Sequence, residues 1–296
     1  MSVTDLVEDY LLGWVLLAVA VGVLVPEVAV VTRAATPMLA VMVGSVSLTL
    51  SADRFRAIDP RPLATTLLAH LSMPIVAFGL ARALSLSPAL TVGFVLLGAV
   101  TPELVTPTMT ELAGGNTALS SVVLVVAGVG STVVVPVATG LFAGGVTVDT
   151  WPVVEQLLVA VVGPMALAIA VRARFPTRVA AHEGVYPAVS AVMVVLVIGG
   201  VTGANAALLR SDGAVLAVVA AAALALNGVG YGLGWLSASG SDRPTRIAGA
   251  LSVGMRDFAV AAALVVAAGF PPDAALPAVV FGVVEMATSA GLARWL

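Results

Sequence analysis

The sequence predicts an all-α membrane protein of ten transmembrane helices, arranged as two inverted five-helix repeats over residues 1–149 and 150–296. Three observations lead there. Of the residues, 60% are apolar and only 10% charged, with a mean hydropathy of +1.13, whereas average usage is about 25% charged. Apolar runs recur at lengths near the roughly 20 residues needed to cross a hydrocarbon core. Arginines, finally, concentrate in every second connection between those runs.

Taken in order, the first half offers spans at 10–31, 35–51, 62–83, 89–112 and 117–145. The second offers 152–173, 185–208, 213–237, 244–269 and 272–294. The breaks, such as "SADRFRAIDPRP" and "ASGSDRPTR", are too short for an inserted soluble domain. The opening "MSVTDLVEDY" holds Asp5, Glu8 and Asp9 and no base. A cleavable signal peptide needs a positive n-region, so the first run is expected to remain as a membrane helix. Even-numbered connections and termini hold Arg54, Arg56, Arg61, Arg172, Arg174, Arg178, Arg243, Arg246 and Arg294, against Arg33, Arg82 and Arg210 in the odd ones. That asymmetry follows the positive-inside rule and places the chain in a cell membrane with both termini cytoplasmic.

Span 4 and span 9 are offset by about 155 residues, as are spans 5 and 10, and an odd number of spans per repeat inverts the second half. Each of spans 4 and 9 has a polar interruption near its middle, "TPELVTP" and "SVGMRDF". Paired broken helices in inverted repeats are a pattern of secondary transporters, whose binding site lies where the breaks meet.

Other chemistry is poorly represented. There is no cysteine, which excludes disulfides, thiolate metal sites and thiol catalysis. Two histidines, His70 and His182, cannot form a histidine-rich metal centre, and no GxSxG or HExxH motif marks a hydrolase or protease. The chain does not read as an enzyme, and it carries no sign of an organic cofactor. A net charge of −3 implies no nucleic-acid partner. The partners expected are a lipid bilayer and a transported solute, and the sequence leaves the oligomeric state open.

In "TPELVTPT", Pro102 and Pro107 each remove a backbone donor. Carbonyls freed at bilayer depth must face protein or a watery cavity. Thr101, Thr106, Thr108 and Thr110 can cap them or coordinate an ion, while a kinked structural helix with back-bonded threonines is the plainer alternative. Glu103 adds a charge that a kink does not need. In the second break Arg256 and Asp257 are adjacent, and buried ionisable groups at this depth cost about 2.5–3.5 kcal/mol each on insertion scales. Glu103 is the natural partner of Arg256, either in a static clamp or in a working site. Glu285 is a further mid-span acid, suited either to relaying protons or to a protonated, inert role. His70 reads as a hydrogen-bonded packing residue before a proton carrier. Gly228, Gly230, Gly232 and Gly234 in "NGVGYGLGW" read as helix packing.

Several ordered segments carry a family resemblance: "GSVSLTLSADRF", "SMPIVAFGLA", "ELAGGNTALS", "SVGMRDFAVAAALV" and "LPAVVFGVVEMATSAGLARW". Together they resemble the bile acid:sodium symporter family of the bile/arsenite/riboflavin transporter superfamily. The resemblance implies a core domain with two helices crossing at their breaks, a panel domain against which it moves, and sodium-coupled transport of a small organic anion. It also implies where sodium would sit, and there this chain differs. A Ser-Asn pair of the family is Thr106 and Pro107 here. Its two hydroxyl ligands in span 5 fall on Ser120 and Leu124, its glutamate on Ser252, and its glutamine and asparagine on Arg256 and Asp257. Two mechanisms remain open. Sodium could bind near Glu103, Thr106, Ser120 and Asp257, leaving Arg256 to hold the substrate anion through its planar fork of donors. Alternatively Arg256 replaces the ion, neutralising Glu103 and Asp257, and the carrier is proton-coupled or uncoupled.

Overall fold

The computed structural model describes residues 10–50, 58–142 and 150–295. The acidic opening residues and the connection carrying Arg54 and Arg56 lie outside them. The described residues form helices and no strand. Among the described residues, seven helical stretches are long and apolar enough to cross a bilayer: Pro26–Ser47, Pro60–Ala83, Thr117–Phe142, Trp151–Arg174, Glu183–Ala204, Gly213–Ser237 and Arg243–Ala267. Leu11–Leu24 and Pro88–Ala99 are shorter apolar helices.

The chain begins with α1 (Leu11–Leu24), which ends sooner than the apolar run does, because Pro26 has no N–H to continue the ladder. A 3₁₀ segment, Pro26–Ala34, carries the chain into α2 (Ala35–Ser47). The long α3 (Pro60–Ala83) is capped by the Asp59 carboxylate. The expected fourth span is two helices, α4 (Pro88–Ala99) and α5 (Thr106–Leu112), separated by irregular backbone. After α6 (Thr117–Phe142), the sixth run is divided into α7 (Thr150–Leu157), a π turn at Leu158–Val162 and α8 (Gly163–Arg174). Pro164 lacks a donor, which accounts for the widened turn that precedes it.

Short α9 (Pro176–Ala180) leads to α10 (Tyr186–Ala204), and short α11 (Ala206–Ser211) to α12 (Gly213–Ser237). The ninth run is again two helices, α13 (Arg243–Gly254) and α14 (Phe258–Ala267), and α15 (Leu276–Trp295) closes the described chain. The Arg243–Ala267 stretch is 89% buried over its apolar window, whereas the other six candidate spans are 28–56% buried. It is therefore the interior one of these seven, and α4, buried from Leu90 to Ala99, is interior as well.

Of the four expected packing glycines, two behave as expected. A Cβ on Gly234 would strike the Gly249 carbonyl, and one on Gly230 would come within 2.8 Å of the Gly254 Cα, so α12 and α13 meet backbone to backbone. Gly228 and Gly232 face open space. This close approach brings α12 against the second interruption, where its Asn227 is used.

Candidate crossover site

Both interruptions lie in the buried interior, and they touch. The Asp257 N–H donates to the Thr101 carbonyl at 3.0 Å, joining the second break to the first by main chain alone. Each break leaves carbonyls at the end of the preceding half-helix that lack intrahelical donors. The Gly98 and Val100 carbonyls, at the end of α4, accept from Arg256 Nη1 at 3.2 and 3.4 Å. The Gly254 carbonyl, at the end of α13, accepts from Asn227 Nδ2 at 3.1 Å. Asn227 is fixed in turn, because the Thr288 hydroxyl donates to its Oδ1 at 2.7 Å.

The second half-helix starts are handled differently. Asp257 caps α14, its Oδ1 accepting the Val260 N–H at 2.8 Å. No side chain caps α5, whose second residue is Pro107 and whose first N–H, that of Thr106, donates to the Glu103 carbonyl at 2.9 Å. The Arg256 backbone N–H donates to Glu285 Oε2 at 2.9 Å. Arg256 is fully buried, and its Nη1 lies 3.0 and 3.1 Å from the two ring nitrogens of His70. His70 Nδ1 also lies 3.4 Å from the Ser252 carbonyl.

The expected pairing of Arg256 with Glu103 is not what the side chain does. Among the described residues no carboxylate oxygen lies within 4.0 Å of the guanidinium, and the one ion pair found there is Arg172–Glu183 at 3.1 Å. The physical reason is the C-terminal end of α4: its free carbonyls carry partial negative charge, and the guanidinium settles on them. Its Nε and Nη2 have no hydrogen-bond partner. Three acidic side chains, Glu103, Asp257 and Glu285, are buried in the same interior as this one guanidinium.

The other sequence candidates divide. Thr106 Oγ1, Ser252 Oγ, Glu103 Oε2 and Asp257 Oδ2 are buried oxygens without partners. They lie in or beside the two breaks, and each is an oxygen of the hard kind that alkali cations favour. Ser120 is buried, but its hydroxyl donates to the Thr117 carbonyl of its own helix at 3.2 Å. Among the described residues no three His, Asp or Glu side chains form a metal cluster. Thr108 is turned outward from the break and lines a cavity of about 380 Å³. Glu103 and Glu285 line the same cavity, whose walls are mostly apolar side chains of α1, α5, α10, α14 and α15. Arg256 does not reach it. Asn227 and Thr288 were absent from the sequence reading, although a lone asparagine within the apolar run 213–237 is the signal that could have found Asn227.

Comparison with known proteins gives the family of the chain. The profile of the Sodium Bile acid symporter family matches residues 36–211. An uncharacterized sodium-dependent transporter, YocS, of Bacillus subtilis (strain 168) is 31% identical over 277 residues, covering 91% of this chain and 85% of the relative. A probable sodium/metabolite cotransporter, BASS2, chloroplastic, of Oryza sativa subsp. japonica is 27% identical over 275 residues. That alignment covers 88% of this chain and 63% of the rice protein.

Proposed function

The chain belongs to the sodium bile acid symporter family, and from that premise we propose that it is a sodium-coupled secondary transporter of a small organic solute. The protein is an integral membrane transporter and not an enzyme. In our reading it works by alternating access around the crossed breaks, with ten spans in two inverted repeats (1–149 and 150–296), core and panel domains drawn from both, and cytoplasmic termini.

The observation that carries the proposal is the direct main-chain contact between the breaks, surrounded by buried oxygens with no partner. Three buried acids stand near one guanidinium, and ionising them at bilayer depth is expensive unless a cation binds. Sodium at Glu103, Thr106, Ser252 and Asp257 supplies that charge reversibly. Solute binding in the adjoining cavity then completes a state that can turn over.

A second reading is favoured by Arg256. Its guanidinium occupies the carbonyl end of α4, where half-helix termini coordinate cations in broken-helix carriers. In that reading Arg256 is the resident cation, and coupling is to protons or absent.

Melting temperature in sodium chloride against choline chloride at equal ionic strength separates the two, because a ligand of the folded state stabilises it by mass action. A saturable, sodium-specific rise that is lost in Asp257→Asn is expected. No rise in the native protein, together with its appearance in Arg256→Gln, would establish Arg256 as the surrogate ion instead.

A further inference from the structure

The crossover keeps apart donors and acceptors that could satisfy one another. A guanidinium carries N–H donors on all three of its nitrogens. Among the described residues Arg256 engages acceptors through Nη1, while its buried Nε and Nη2 have none. Thr106 Oγ1, Ser252 Oγ, Glu103 Oε2 and Asp257 Oδ2 are buried in or beside the same two breaks without donors. Hydrogen bonds left unmade in an interior are costly on both sides. Asp257 is also the next residue in the chain, and Ser252 lies four residues before Arg256. Something therefore holds the guanidinium away from these oxygens.

Nη1 meets the Gly98 and Val100 carbonyls and the ring of His70, whose Nδ1 and Nε2 lie 3.0 and 3.1 Å away. Of these acceptors His70 is the side chain, and it comes from α3, outside both breaks. Its place there follows from the packing. A Cβ on Gly98 would come within 2.8 Å of the Met73 carbonyl, so the absence of a side chain lets α3 lie directly on the end of α4. Met73 is three residues after His70, on the same helix face. The face of α3 that meets Gly98 thus also presents the imidazole to the nitrogen bound by the Gly98 carbonyl. A neutral ring with its proton on Nδ1 serves both of its neighbours. It donates to the Ser252 carbonyl, 3.4 Å from Nδ1, and accepts from Arg256 through Nε2.

We propose that His70 is a positioning residue: it holds the Arg256 guanidinium on the α4 carbonyls and so keeps the oxygens of the two breaks free for sodium. This rests on the sodium reading above, and deepens it by naming the side chain that governs whether the ion site is open. Without an acceptor at position 70, the unpaired donors of Arg256 turn to the unpaired oxygens of the breaks. A cation tethered there excludes a free one, by occupying the same oxygens and by like charge at short range. His70 acts through Arg256 and not as a ligand of the ion, which gives it a role beyond packing.

The test titrates the purified full chain with sodium chloride, choline chloride holding the ionic strength constant, and reads melting temperature. A saturable rise is expected in the native chain and in His70→Gln, whose amide oxygen keeps an acceptor at this position. In His70→Leu the apparent sodium affinity should fall at least about tenfold, the scale of one hydrogen bond to a charged group. Arg256→Gln added to His70→Leu should recover most of that affinity, because the competing charge is gone. A merely structural role for His70 would not be reversed by altering a second buried residue. Equal sodium affinity in the native chain and His70→Leu overturns the proposal, and so does a loss that Arg256→Gln fails to restore. If His70→Leu does not fold, His70→Phe keeps a ring without its nitrogens and carries the same comparison. A native chain with no sodium response removes the sodium reading and this inference with it. A native response indifferent to position 70 removes the inference alone.

Discussion

The two interruptions at the centre of the molecule look equivalent by position and differ in almost everything else. The first, 100–105, is six residues long, while the second, 255–257, is three. The first is made by losing donors: Pro102 lies within it and Pro107 in the first turn after it, and α5 starts without a side-chain cap. The second contains no proline and is held by added groups. Asp257 caps α14, Asn227 serves the Gly254 carbonyl, and Glu285 accepts the Arg256 N–H. It then serves its partner as well, through the Arg256 guanidinium and the Asp257 N–H. The second break is thus a brace, and the first is an opening held apart by that brace. A cavity lined by Glu103, Val105 and Thr108 is consistent with this division.

The comparison breaks most visibly at Arg256. Arg256→Ala withdraws the donor from two buried carbonyls, those of Gly98 and Val100, so we expect a stability loss of about 2–6 kcal/mol, the sum of two buried unsatisfied groups. Chemical denaturation or melting in detergent would measure it, and a loss under about 1 kcal/mol would show that the brace lies elsewhere. Glu103→Gln should behave in the opposite sense, with stability kept or raised and solute-dependent stabilisation lost. Equal destabilisation by the two variants would erase the distinction between brace and opening.

A smaller effect is expected at Asn227. Asn227→Leu leaves the Gly254 carbonyl without its donor and the Thr288 hydroxyl without its acceptor, although that hydroxyl also lies 2.9 Å from the Val284 carbonyl. About 1–3 kcal/mol is the cost of one such buried, unsatisfied group. Thr288→Val should cost less, since Asn227 Nδ2 keeps its bond to Gly254, and melting of the two variants side by side would show the order. The reverse order would mean that Thr288, not Asn227, carries the support from α12 to α15.

Much of this was legible in the chain before its structure. The interruption of span 4 was written in two prolines, because a missing N–H acts locally and needs no partner to be read. The interruption of span 9 was legible only from charge, since an Arg-Asp pair inside an apolar run is costly wherever it sits. What the sequence could not show was direction. Whether Arg256 turns to Glu103 or to the α4 carbonyls depends on which acceptor the fold leaves bare, and the backbone carbonyls of Gly98 and Val100 have no signature in residue type. The direction of Thr108 was equally hidden: α5 has only seven residues, so a one-residue change of phase decides whether a threonine faces the break or the cavity that Thr108 lines. The end of α1 at Leu24 was equally readable from Pro26, but the apolar run continued past it and masked the stop.

The finest distinction between the two broken helices lies at their outer ends. Ser87 caps α4, with its hydroxyl oxygen accepting the Leu90 N–H at 3.3 Å, while Asp242 caps α13 by accepting the Thr245 N–H at 3.1 Å. Hydrogen bonds from the Thr245 hydroxyl and then its N–H hold the Asp242 carboxyl below its ordinary value of 3.8. A depressed carboxylate contributes stability that is present above its unfolded pKa and disappears as pH falls through the folded one. Asp242→Asn keeps an oxygen at the cap and removes the charge, so the native protein should melt slightly higher than this variant near neutrality. The two should converge as the pH drops below about 4. Ser87→Ala lowers stability through loss of a neutral cap, and its deficit should stay level across the same range. A deficit in Ser87→Ala that also closed in acid would mean that the titrating group lies outside α13, and the contrast between a charged and a neutral cap would not explain the pH response.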